Sequence, residues 1–136
     1  MSSSFRIFDI AGSAMSAQSV RLSTVASNLA NADAVGSDPQ TVFKAHLPMF
    51  KTAPEIAGKQ TPGVRVTGVV ESQSPAEKRY EPGNPVADGE GYVYAPNVNV
   101  VEQMTDMISA SRSYQNSVDM MNTAKELALK TLTLGN

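Results

Sequence analysis

From Asn99 to Leu134 the chain carries neither proline nor glycine, and this stretch constrains the fold more than any other. Its start is marked. Asn99 is a strong N-cap residue, and Glu102 stands three residues on, where its carboxylate can reach back to the Asn99 N–H. Pro96 favours an extended approach and cannot donate a helical hydrogen bond. Apolar or small residues recur at Val101, Met104, Ile108, Ser111, Val118, Met121, Ala128 and Leu132, with Lys125 in the same register. Met107, Tyr114, Ala124 and Leu129 widen that stripe, and most charged residues fall off it. The pattern predicts one helix with a single side to bury.

The length of that helix decides what the chain needs. About 35 residues at ~1.5 Å each extend on the order of 50 Å. A compact globule of 136 residues has a radius of gyration of about 14 Å and a diameter of about 40 Å. The helix overshoots its own domain. Unless something outside this chain covers the excess stripe, apolar side chains face water.

A second helix is predicted at the N-terminus, capped by Ser2-Ser3-Ser4 and beginning near Phe5. Phe8, Met15, Leu22 and Leu29 recur every seven residues, with Ala11, Val25 and Ala32 three residues after three of them and Gln18 as the polar exception. That is an a/d seam over about four heptads. Between Gly12 and Ala32 the only charged residue is Arg21, and the remaining surface is Ala, Ser, Thr, Asn and Gln. Small uncharged residues all round let neighbouring helices approach on several sides. The helix signal ends in Asn31–Gly36, with Gly36 as the expected C′ residue.

Between the helices the chemistry changes. All eight prolines lie from Pro39 to Pro96. Short β-like runs at Thr41–Leu47, Val64–Val70 and Gly91–Tyr94 are punctuated by Pro82-Gly83-Asn84-Pro85 and Asp88-Gly89. Val64, Val66 and Val70 are expected on one face of their strand, with Arg65, Thr67 and Glu71 on the other. Residues 54–62 read as a loop. The expected fold is mainly α with a small β insert. Residues 1–35 and 99–136 form two terminal helices paired as an antiparallel coiled-coil-like unit, and residues 36–98 form the irregular β-rich element between them.

Composition narrows function chiefly by exclusion. Charged residues make up 18% of the chain, which is low, and the shortfall is met by polar uncharged residues and alanine. Such surfaces meet other protein. A net charge of −2 offers no basic stripe for nucleic acid. Without cysteine, neither a disulfide frame nor a thiolate metal site is possible, which suits passage into an oxidising compartment. No run of 18 apolar residues spans a membrane. Phe5–Ile10, broken by Arg6 and Asp9, is too short for the core of a cleavable signal. The single histidine, His46, has no partner set for catalysis or metal binding, and Arg112 stands mid-helix, suited to an interhelical ion pair. The methionines Met104, Met107, Met120 and Met121 could line an adaptable groove but fit packing better. No enzyme and no cofactor are expected.

Seven segments, in order, resemble the flagellar axial rod and hook family. They are Phe8-Asp9-Ile10-Ala11-Gly12-Ser13-Ala14, Ala26–Asp33 with its Asn-Leu-Ala-Asn core, Pro82-Gly83-Asn84-Pro85, Gly91-Tyr92-Val93, Pro96-Asn97-Val98, Met107–Tyr114 and Leu129–Gly135. Pro96-Asn97-Val98, the Ser109–Tyr114 segment and the short insert are similar to the basal-body rod proteins of the proximal rod, the FlgC type. The resemblance implies a structural subunit that passes unfolded through the flagellar export apparatus with an uncleaved N-terminal signal. It then stacks helically in the drive shaft of the basal body, in the periplasmic space. Implied partners are copies of itself, other rod proteins and basal-body ring components. Taken with the seam and the stripe, this makes Phe8, Ala11, Met15, Leu22, Val25, Leu29, Val101, Met104, Ile108, Arg112, Tyr114, Val118, Met121 and Leu132 the expected assembly residues. Another axial subunit, or a helical export adaptor or chaperone, is the alternative.

Overall fold

The computed structural model of the chain describes residues 2–54 and 61–135. In chain order it has helix α1 (Ser2–Ala30), strands β1 (His46–Ala53), β2 (Gly63–Glu71), β3 (Glu77–Tyr80) and β4 (Tyr92–Ala95), and helix α2 (Val100–Leu134). α2 starts where its cap predicts: the Asn99 side chain accepts a hydrogen bond from the Glu102 N–H at 3.1 Å. α1 differs at both ends. Ser2–Ser4 form its first turn instead of capping it, and the helix ends at Ala30, with the Asn31 side-chain Nδ2 donating back to the Ser27 carbonyl at 2.9 Å. Gly36 is not a C′ residue. Its N–H donates to the Tyr94 carbonyl at 2.9 Å and its carbonyl accepts from the Tyr94 N–H at 2.8 Å, so the segment after α1 is stitched to β4.

The insert holds two antiparallel two-stranded sheets, β1–β2 and β3–β4. Only His46 and Leu47 of the expected Thr41–Leu47 strand are extended, because Asp38 bends the chain before it. The Asp38 carboxylate accepts from the Gln40 N–H at 2.8 Å and its carbonyl from the Thr41 and Val42 N–H groups at 3.2 Å. β1 instead continues through Pro48 to Ala53, which a two-stranded sheet with free edges tolerates. β3, of sequence Glu-Lys-Arg-Tyr, carries no apolar alternation and is extended by its pairing with β4. A register shift at Met49/Phe50 leaves Thr67 unpaired and turns the rest of β2 over. Val70 therefore shares a face with Arg65, contrary to the alternation expected from sequence. The loop expected at 54–62 falls mostly on residues 55–60, outside the described part.

α1 is the middle layer. α2 packs on α1 and on no described strand, while β1–β2 also packs on α1 and does not meet α2. The helices run antiparallel: Asn28 meets Gln103, Arg21 meets Asp106, and Gly12 passes the end of the Met121 side chain. The hairpin follows the other flank of α1, anchored near Asn28 at His46 and reaching Ser13, whose Oγ accepts from the Val64 N–H at 3.3 Å.

The core is built of small side chains. Ala11, Ala17, Val25, Ala32, Val42, Ala45, Ala53, Val93, Ala95, Ala110 and Ala124 form it. The largest fully buried side chains are Val93 and Asn28, and no Leu, Ile, Phe or Met among the described residues is fully buried. Close backbone approach brings the layers together, and it leaves the large apolar side chains at the margins.

Candidate assembly interface

α1 uses its heptad seam inside the chain. Ala11 and Val25 are buried, at 1% and 3% exposure, while Phe8, Met15, Leu22 and Leu29 are half-buried. α2 presents the face expected from sequence only in its C-terminal half. Its buried residues are Gln103, Ala110, Ser117 and Ala124, a strict seven-residue repeat of small or polar side chains. Of the expected stripe, Val118, Met121 and Ala128 are half-buried, whereas Val101, Met104, Ile108 and Leu132 are 74, 54, 56 and 53% exposed. Ser111 and Lys125 are exposed as well. The expected stripe follows the large residues, but α1 packs where α2 is smallest. Tyr114 is half-buried beside the packed face, and Arg112 is exposed on the outer one.

The expected assembly residues thus divide. The α1 members and Tyr114, Val118 and Met121 lie within or beside the helix pair, and Val101, Met104, Ile108, Arg112 and Leu132 point away from it or beyond its end. Leu132 lies on the α1-facing side by helical spacing and is exposed because α2 is six residues longer than the 29-residue α1. Leu127, Leu129 and Leu134 around it are 54, 53 and 87% exposed. Exposed apolar side chains clustered in this way mark an interaction surface.

Polar residues that the seam did not single out tie the layers. Asn28, 1% exposed, spans all three. Its Nδ2 donates to the His46 carbonyl and to Gln103 Oε1, both at 2.9 Å, and its Oδ1 accepts from the His46 N–H at 2.8 Å. Asn97 closes the other side of the junction, accepting from the Ala45 N–H and donating to the Ser74 carbonyl, each at 2.7 Å. The clue in the sequence was an Asn one position before the seam residue Leu29, within the Asn-Leu-Ala-Asn segment. Arg21 and Asp106 add an interhelical ion pair at 3.0 Å. Gln18 Oε1 is buried with no protein partner among the described residues.

The β3–β4 sheet makes an aromatic corner. Tyr80 and Tyr92 rings lie 5.1 Å apart, Lys78 stacks 4.0 Å over Tyr92, and Gly91 takes a positive φ of 84° where a Cβ would meet Tyr80 and Pro82 at 3.1 Å. A hydrogen bond from Arg79 at 3.1 Å holds the Glu77 carboxyl below its usual range and raises the guanidinium in turn. His46 packs its ring 5.0 Å from Phe43, with Glu71 at 3.9 Å. Among the described residues no three His, Cys, Asp or Glu gather as a metal set, and no helix is long and apolar enough to cross a membrane.

Residues 8–36 match the family described as flagella basal body rod protein, and residues 90–134 match the C-terminal family of flagellar basal body rod FlgEFG proteins. The chain is 53% identical to the flagellar basal-body rod protein FlgC of Salmonella typhimurium, covering 95% of this chain and 96% of that one. It is 54% identical to the FlgC of Escherichia coli O157:H7 over the same shares, and 39% identical to that of Buchnera aphidicola from Acyrthosiphon pisum over 94 and 95%. With identity above 50% over nearly the full length of these relatives, the chain belongs to the FlgC family of flagellar basal-body rod proteins.

Proposed function

We propose that this chain is a structural subunit of the flagellar proximal rod, built into the drive shaft through its two terminal helices. One observation carries the reading: α2 buries its small residues and exposes Val101, Met104, Ile108 and its terminal leucines. Each such side chain gains roughly 1.5–3 kcal/mol when fully covered, so the free subunit is poised to associate. In the shaft, α1 and α2 pair as an antiparallel coiled-coil-like unit, and the outer face and overhanging end of α2 pack on copies of the chain and on other rod proteins. The insert makes lateral contacts, including those to basal-body ring components. The subunit crosses the export apparatus unfolded, which a cysteine-free chain with locally formed helices permits, and it works in the periplasmic space. It performs no chemistry and takes no cofactor.

The test is complementation. In a strain that depends on this chain for its rod, Ile108→Asp is expected to abolish motility while the purified variant folds like the parent by circular dichroism. A motile strain carrying that substitution overturns the reading. A stable acidic dimer that binds another secreted subunit and is never found in basal bodies would favour the adaptor alternative.

A further inference from the structure

Charge is unevenly divided along the length of the molecule. One end is built from the segment after α1, the β3–β4 sheet and the start of α2, stitched together by the Gly36–Tyr94 bridge and by Asn97. It carries Asp33, Asp38, Glu77, Glu81, Asp88 and Glu90, with Glu102 in the first turn of α2 and Glu71 at the foot of the hairpin. Its bases are fewer and mostly engaged. Arg79 binds Glu77 at 3.1 Å, with Glu81 and Asp33 acting on the same guanidinium, and Lys78 lies over the Tyr92 ring. Only Lys44 remains. This end is acidic.

The balance reverses toward the other end, where α1 begins and α2 finishes. There Arg6, Lys125 and Lys130, with Lys51 and Arg65 on the outer half of the hairpin, outnumber Asp9, Asp119 and Glu126. None of those bases has an ion-pair partner among the described residues. Between the two ends Arg21 offsets Asp106, and Arg112 stands near the middle of α2. The helices add no bias of their own, since antiparallel dipoles cancel. Each end also exposes apolar side chains. Phe5, Leu132 and Leu134 are 60, 53 and 87% exposed at the basic end, and Tyr80 and Val86 are 65 and 43% exposed at the acidic one.

We propose that copies of the chain stack head to tail in the shaft, the acidic β3–β4 end of one seated on the basic end, where α1 begins and α2 finishes, of the next. The exposed apolar side chains meet across the junction, and Arg6, Lys125 and Lys130 approach the acids around β3–β4. Complementary charge of this kind sets direction more than strength. A copy inserted upside down brings acid to acid and is rejected. Because the two ends are unlike, the contact is heterologous and repeats from copy to copy instead of closing on itself. This rests on the subunit reading above and adds which surfaces meet.

The length of the molecule gives a clean test. Within one chain the two ends lie about 40 Å apart, the span of the 29-residue α1, so a zero-length cross-link between them joins two copies. Isolated basal bodies treated with a carbodiimide, which condenses a lysine with a carboxylate, are expected to yield peptides joining Lys125 or Lys130 to Asp33, Glu81 or Glu90. Links confined to acids of the same end, or no link between chains, overturn the stacking. Charge reversal supplies a second measurement. In a strain relying on this chain, Lys125→Glu with Lys130→Glu is expected to lower the yield of basal bodies about tenfold, and adding Glu81→Lys with Glu90→Lys to restore it. Unchanged yield at the first step, or no restoration at the second, also overturns the stacking. All of these failures leave the subunit reading intact, whereas absence of the unsubstituted chain from basal bodies overturns that reading itself.

Discussion

α1 and α2 are both long helices, yet they are buried in different ways. α1 lies between α2 and the β1–β2 hairpin, so its small residues Ala11, Ala17 and Val25 are 1–3% exposed. Among the described elements α2 has one neighbour, gives it a stripe of Gln103, Ala110, Ser117 and Ala124, and leaves Val101 and Ile108 at 74 and 56% exposure. Small residues bring three layers to close approach within one chain, and the large residues of α2 stay exposed.

That separation breaks first under a buried charge. Val25→Asp places an unpaired carboxylate in the seam between layers, at a cost on the order of 3–5 kcal/mol. We expect the cooperative urea transition of the purified protein to move far down or vanish. Ile108→Asp, on the exposed face, should shift it by less than about 0.5 kcal/mol. Equal shifts would mean that α2 is enclosed in the monomer after all.

The next largest effect is expected at Asn28. Truncation to Ala removes bonds to the His46 backbone and to Gln103, and it leaves three polar groups without their partner. A loss of about 3 kcal/mol follows, since each buried unsatisfied group costs ~1–3 kcal/mol and water can reach the rim. Equilibrium unfolding measures it. A loss below about 1 kcal/mol would show that the layers do not depend on this junction.

Asn28 also shows where the sequence stopped being legible. Both helices and the Asn99 cap follow from spacing and composition, because periodicity and capping act over a few residues. The α2 face followed only in its C-terminal half: a hydrophobic stripe predicts burial only where the chain itself supplies the cover, and Val101, Met104 and Ile108 are left more than half exposed. Strand positions in the insert depended on partners as well: β3 is extended through β4, and the shift at Met49/Phe50 reverses Val70. Asn28 was visible only as part of a family-like segment, because its role is to bond a strand backbone 18 residues away.

A smaller effect tests how closely the helices approach. Ala110 is fully buried at the contact, and Ala110→Leu should cost about 1–3 kcal/mol by overpacking. Ile108→Ala, two residues away on the outer face, should leave monomer unfolding within about 0.5 kcal/mol and weaken assembly instead. Thermal unfolding together with basal-body yield separates the two. A stabilised Ala110→Leu variant would show slack between α1 and α2 and weaken the contrast.

The smallest effect is expected at the only histidine. Asn28 holds the backbone of His46, not its imidazole, so His46→Ala keeps both of those hydrogen bonds. What disappears is ring packing on Phe43 and a 3.9 Å approach to a largely exposed Glu71 carboxylate. Partly exposed pairs of that kind contribute ~0–1 kcal/mol. Unfolding should therefore shift by less than about 1 kcal/mol, with motility unchanged. If His46→Ala destabilised the chain as much as Asn28→Ala, the hairpin would be held to α1 by the side chain and not by its backbone. The enclosure of α1 would then hang on one half-buried ring.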